Sequence, residues 1–134
     1  MNILKLFALF LLIIVLFLYS CSSNKDDSSS SKYTKISADK AKDMMDKDSS
    51  VIILDVRTKQ EYEEGHIEGA ILIPNTELIN RANKELPDKD ATILVYCRSG
   101  NRSAKAAKEL IEAGYTNVFD FGGINNWKHE IVTN

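Results

Sequence analysis

The chain has 134 residues, a formal net charge of −2 and 17 basic residues set against 19 acidic ones. One folded domain is the natural expectation, and charges interspersed without a basic stripe or block argue against a nucleic-acid partner. Two cysteines, Cys21 and Cys97, and two histidines, His66 and His129, cannot assemble a zinc-ligand spacing, so no metal or other cofactor is expected.

Residues 1–20 read as an export signal. Lys5 and the amino terminus supply positive charge, and Leu6 through Tyr19 is an unbroken apolar run. That run suits a signal-peptide core and falls short of the roughly 20 residues needed to span a bilayer. It ends in Leu18-Tyr19-Ser20-Cys21, which resembles the lipobox of bacterial lipoproteins. The resemblance implies cleavage before Cys21 and lipidation of that cysteine, giving an exported domain anchored to a bacterial membrane and facing the periplasm or cell exterior. An uncleaved membrane anchor, or cleavage that leaves Cys21 a free thiol, are the alternatives. Residues 21–32 are serine-rich and polar and read as a flexible tether, with a root-mean-square span of roughly 15–20 Å. Residues 33–134 are left as the folded domain.

From Tyr33 onward, helix-like and strand-like stretches alternate. Ser37 is suited to cap a helix whose apolar face is Ala38, Ala41, Met44 and Met45. Val51 through Leu54 reads as a buried strand that delivers Asp55 at its end. A short helical stretch around Glu61 stops at Gly65. Ala70 through Ile73 is a further strand, closed by Pro74. Thr76 can cap a helix in which Leu78, Ile79, Ala82 and Leu86 share a face. Thr92 through Tyr96 is a strand, and Ala104 through Ala113 an amphipathic helix stopped by Gly114. Val118 through Phe121 is the last strand, followed by Gly122-Gly123 and a short segment carrying Trp127. Continuous apolar strands separated by helices predict an α/β fold with a parallel sheet covered on both faces. Ligands bind beyond the carboxyl ends of such strands, which is where Asp55 and Cys97 both fall.

The stretch Cys97-Arg98-Ser99-Gly100-Asn101-Arg102-Ser103 joins a strand to a helix. That arrangement sets the Cys97 sulfur over a helix N-terminus, whose unpaired N–H groups and dipole favour an anion. A thiol held there loses its proton more readily and serves as a nucleophile. Gly100 supplies the positive φ that lets the backbone curl toward the sulfur.

Three motifs, in order, carry a resemblance to the rhodanese-like family of sulfurtransferases over about residues 33–130. They are Asp55-Val56-Arg57 with Glu61 through Ala70 and Pro74, then Cys97 through Ser103, then Gly122-Gly123-Ile124-Asn125-Asn126-Trp127. The resemblance implies a three-layer fold with a central, mainly parallel sheet and helices on both faces. It also implies that Cys97 takes a sulfane sulfur from a small anionic donor such as thiosulfate, forms a persulfide, and passes the sulfur to a thiol or to cyanide. Arg98, Ser99, Gly100, Asn101, Arg102 and Ser103 would then form the substrate cradle, with the two arginines attracting anionic donors. Asp55 and Arg57 are expected to hold the pocket edge through hydrogen bonds, His66 to brace a turn, and Trp127 to pack in the core.

Two rivals remain open. A cysteine phosphatase or arsenate reductase would need a wider loop or a resolving cysteine, whereas only Arg98-Ser99-Gly100-Asn101 separates Cys97 from Arg102. A non-catalytic binding or sulfur-carrier module would use the same pocket without turnover. An exported thiolate with no second cysteine in its domain also implies a redox partner.

Overall fold

A computed structural model describes residues 3–5, 7–8 and 32–134. The chain divides into two units, Met1–Ser30 and Ser31–Asn134. In the first, residues 3–5 and 7–8 are helical. Cys21 and the tether up to residue 31 lie outside the described residues. Among the described residues no helix is long and apolar enough to cross a membrane.

The second unit is built on five strands: β1 (Thr34–Lys35), β2 (Ile52–Asp55), β3 (Ile71–Leu72), β4 (Thr92–Cys97) and β5 (Asn117–Gly123). They lie in the order β1-β5-β4-β2-β3, every pair parallel. The helices are α1 (Ala38–Lys47), α2 (Lys59–Glu64), α3 (Leu78–Glu85) and α4 (Asn101–Glu112), with a 3-10 turn at Ile124–Asn126. Successive strand residues face opposite sides, so the central strand β4 feeds both layers. Ile93, Val95 and Cys97 pack with Leu78, Ala82 and Leu86 and with Ala106, Ala107 and Leu110, from α3, α4 and the residue closing α3. Leu94 and Tyr96 pack with Ala41 of α1 and with Phe121. The expected α/β architecture with helices on both faces is the one observed.

Ser37 caps α1 as expected, its hydroxyl accepting the Lys40 N–H at 3.1 Å. Thr76 does not cap α3. That helix starts at Leu78, after a turn in which the Glu77 N–H donates to the Pro74 carbonyl at 2.8 Å, and no side chain caps it. Ile79 does not join its buried face but is 52% exposed. Adjacent helical residues diverge by roughly 100°, and Leu78, Ala82 and Leu86 already fill the inward side. β3 is shorter than Ala70–Ile73, because the Ala70 N–H turns back to the Ile67 carbonyl at 3.0 Å. The helix after Cys97 begins at Asn101 rather than Ala104. Gly100, at φ 108°, reverses the chain in one residue and places Asn101, Arg102 and Ser103 in the first helical turn.

Candidate active site

Cys97 is the last residue of β4, and its parity along the strand turns its side chain toward α4. It is 1% exposed. The backbone N–H of Gly100 donates to Cys97 Sγ at 3.0 Å. Gly100 has no side chain to cap α4, so the N–H groups of the first turn are left to the sulfur. Burial pushes the thiol pKa up. The Ser103 hydroxyl and the N–H groups of Ser103, Gly100 and Ser99 outweigh it and leave the thiol below its ordinary value. Ser103 is itself fully buried, its hydroxyl 3.1 Å from the Gly100 carbonyl and 3.3 Å from that of Gly122. The hydroxyl is thus held between two backbone carbonyls beside the sulfur.

The glycine pair Gly122-Gly123 explains how the loop is held so tightly. Val95 of β4 pairs with Asp120 of β5, yet Cys97 pairs with Gly123, so β5 carries one extra residue beside the cysteine. This is a β-bulge next to the nucleophile. Gly122 takes φ 85° there, and its N–H donates to Asp120 Oδ1 at 2.9 Å. A Cβ on Gly123 would lie 2.1 Å from the Arg98 carbonyl oxygen and 2.7 Å from Ser99 Cα. Only a glycine lets the loop cross at that height. The Asn125 N–H then donates to the Arg98 carbonyl at 3.2 Å.

The two loop arginines are not equivalent. Arg98 is exposed, as are Ser99 and Asn101. Arg102 reaches across to α2 and forks onto Glu61, with Nη1 donating to Oε2 at 2.7 Å and Nη2 to Oε1 at 2.8 Å. Glu61 was not among the site residues expected from sequence. Its signal was the capping box Thr58-x-x-Glu61, in which Glu61 Oε2 also accepts the Thr58 N–H and hydroxyl at 3.0 Å each. The Arg102 fork, outweighing burial and aided by Thr58, holds the Glu61 carboxyl at about 2.

Asp55 and Arg57 form a buried pair behind this wall. Arg57 Nε donates to Asp55 Oδ1 at 3.0 Å, Nη2 to Oδ2 at 2.8 Å, and Nη2 to the Gly65 carbonyl at 2.7 Å. The guanidinium carbon lies 5.5 Å from the centre of the Tyr96 ring. The Tyr96 hydroxyl in turn accepts the Ile67 N–H at 3.1 Å, and burial, then the Asp55 charge, push its pKa upward. His66 stacks on Tyr62 at 3.6 Å between ring centres and exchanges backbone hydrogen bonds with Val132. It therefore braces a turn and the C-terminal strap. Trp127 packs against Phe121 at 5.8 Å. Arg57, Glu61, Glu64 and Arg98, with Ile124 and Ile131, line a pocket of about 270 Å³ beside the loop. Among the described residues no cluster of His, Cys, Asp and Glu is arranged to hold a metal ion.

The family model for the rhodanese-like domain matches residues 37–130. Thiosulfate sulfurtransferase PspE of Escherichia coli (strain K12) is 41% identical over 73 residues, which is 54% of this chain and 70% of that protein. The putative sulfur carrier protein YrkF of Bacillus subtilis (strain 168) is 40% identical over 98 residues, covering 72% of this chain but only 52% of that one. Among solved structures, a rhodanese with anions from E. coli superposes with a TM-score of 0.59 at 37% identity, covering 62% of this chain and 98% of that chain. The rhodanese-like domain of the Anabaena protein Alr3790 gives a TM-score of 0.69 at 28% identity, with 75% and 79% covered.

Proposed function

The chain belongs to the rhodanese-like domain family, and from that membership we propose that it moves sulfane sulfur from an anionic donor such as thiosulfate to a thiophilic acceptor, through a persulfide on Cys97. The Cys97 thiolate attacks the outer sulfur of thiosulfate. The new bond joins Cys97 Sγ to that sulfur, and the old sulfur–sulfur bond breaks with its electron pair leaving on sulfite. Attack of cyanide or a thiolate on the outer sulfur then releases thiocyanate or a new persulfide and restores the Cys97 thiolate. No net oxidation or reduction is needed from elsewhere.

The observation that carries this reading is the buried Cys97 sulfur at an uncapped helix start, with Gly100 N–H at 3.0 Å. Fixed N–H dipoles stabilise a sulfur anion without reorganising. A persulfide adds one atom to that anion, and a ring with four residues between Cys97 and Arg102 suits a single added sulfur better than a tetrahedral phosphate. Arg98 is the solvent-facing cation that would meet the donor, while Ser99 and Asn101 border the mouth. Asp55 and Arg57 act from behind, as supports.

The likeness to a putative sulfur carrier favours a second reading, in which Cys97 is loaded once and hands its sulfur to a protein partner without rapid turnover. Steady-state thiocyanate formation from thiosulfate and cyanide separates the two: many turnovers per chain support the enzyme, and a single equivalent supports the carrier. We propose also that Cys21 is lipidated and holds the domain at a bacterial membrane, where a thiol donor keeps Cys97 reduced. The support is the apolar run ending at Ser20-Cys21. Fatty-acid labelling that is lost in Cys21→Ala tests it.

A further inference from the structure

Arg102 lies in the cysteine loop, where a cation would be expected to draw in an anionic donor, yet both of its terminal nitrogens are spent on Glu61. The pair is largely sheltered, with side chains 32% and 19% exposed. Glu61 is not a mobile counterion. Its carboxylate is tied to the N–H and hydroxyl of Thr58 at the start of α2, so it cannot follow Arg102 outward. The same pocket is lined by Arg57, already neutralised by Asp55 at 2.8 Å, by a second carboxylate, Glu64, and by the exposed Arg98. The charges of Arg57, Arg98 and Arg102 are matched one for one by those of Asp55, Glu61 and Glu64.

We propose that Glu61 is a specificity-determining positioning residue: by clamping Arg102 it cancels a cation of the cysteine loop, and so disfavours dianionic sulfur donors relative to donors of lower charge. Both carboxylate oxygens of Glu61 are taken by Arg102 and Thr58 rather than by the sulfur. Glu61 acts through Arg102, which sits in the first turn of the helix whose start faces the Cys97 sulfur. The proposal deepens the sulfurtransferase reading and rests on it for the donor, but the electrostatic part can be read on Cys97 alone.

Two physical consequences separate this role from a merely structural one. Removing the Glu61 charge leaves Arg102 uncompensated, which favours the Cys97 thiolate and lowers the midpoint of its alkylation with pH. Loss of loop geometry would do the opposite, since the N–H groups would drift from the sulfur and the midpoint would rise. A freed unit charge also attracts a dianion about twice as strongly as a monoanion. At roughly 4–6 Å in water screened by about 0.1 M salt, that attraction lowers KM by about 3- to 10-fold for the dianion.

The test is Glu61→Gln in the full chain, because glutamine still completes a capping box with Thr58. The alkylation midpoint of Cys97 should fall. KM for thiosulfate should fall about 3- to 10-fold, and for a singly charged aryl thiosulfonate by about the square root of that factor. In the double variant Glu61→Gln/Arg102→Gln both gains should vanish. A midpoint that rises or stays put, or equal KM changes for the two donors, overturns the proposal. Alkylation needs no sulfur donor, so if the wild type turns over neither compound the sulfurtransferase reading fails while the midpoint still decides whether Glu61 cancels Arg102.

Discussion

Gly123 and the Arg98 carbonyl define how close the last strand and the cysteine loop come: a Cβ on the glycine would sit 2.1 Å from that oxygen. The overlap is with backbone, which cannot step aside as a flexible side chain can. The loop that presents N–H groups to Cys97 is therefore shaped from behind by a residue 26 positions further on.

Gly123→Ala should push Arg98 and Ser99 away from β5 and carry the Gly100 N–H off the sulfur. Overpacking of this kind costs about 1–3 kcal/mol. Urea denaturation should register that loss, and sulfur transfer should fall far more steeply than stability. An alanine variant of full activity would mean that the loop has slack.

Asp55→Asn should leave the Arg57 guanidinium buried without its carboxylate. Breaking a buried pair by removing one partner costs about 3–5 kcal/mol, and both residues here are at most 5% exposed. The expected result is a large drop in denaturation midpoint, together with loosening of the Gly65 turn. Loss of activity without loss of stability would instead assign Asp55 a direct chemical role.

Ser103→Ala removes a buried hydroxyl whose lowering effect on the Cys97 pKa is the first to oppose burial. Alkylation of the variant should show a midpoint above that of the wild type and a several-fold slower rate at neutral pH. The backbone N–H groups remain, so reactivity should not disappear. An unchanged midpoint would assign the anion cradle to backbone alone.

Glu61 has a carboxyl pKa lowered from 4.5 to about 2, chiefly by the Arg102 fork. A carboxyl depressed on folding stabilises the folded state above its unfolded pKa, and loses that contribution as pH falls through the folded one. Wild type should therefore be more stable than Glu61→Gln above pH 4.5, with the gap narrowing down to about pH 2. A gap independent of pH would mean that hydrogen-bond geometry, not charge, holds the pair.

The parts of this molecule that could be read from sequence are those fixed by local pattern. The apolar runs Val51–Leu54 and Thr92–Tyr96 read as strands from pattern alone, and a cysteine between such a strand and a helix meets N–H groups. Pattern alone places Asn101 in the loop, whereas one left-handed glycine does the work of several turn residues and starts the helix there. Pattern alone counts Ile79 in the core, because an apolar residue one position off a helical stripe looks like part of it, yet it is exposed. The Glu61–Arg102 fork joins residues 41 apart, and nothing local announces the partner. The Gly123 contact was hidden for the same reason: a doublet of glycines shows freedom, not what the freedom is for.

The central claim is that Cys97 carries sulfur, and intact-protein mass tests it most directly. Wild type treated with thiosulfate should gain the mass of one sulfur atom and lose it on addition of cyanide, whereas Cys97→Ser should show neither change. A wild-type mass unmoved by thiosulfate, or a gain that persists in Cys97→Ser, would contradict the account.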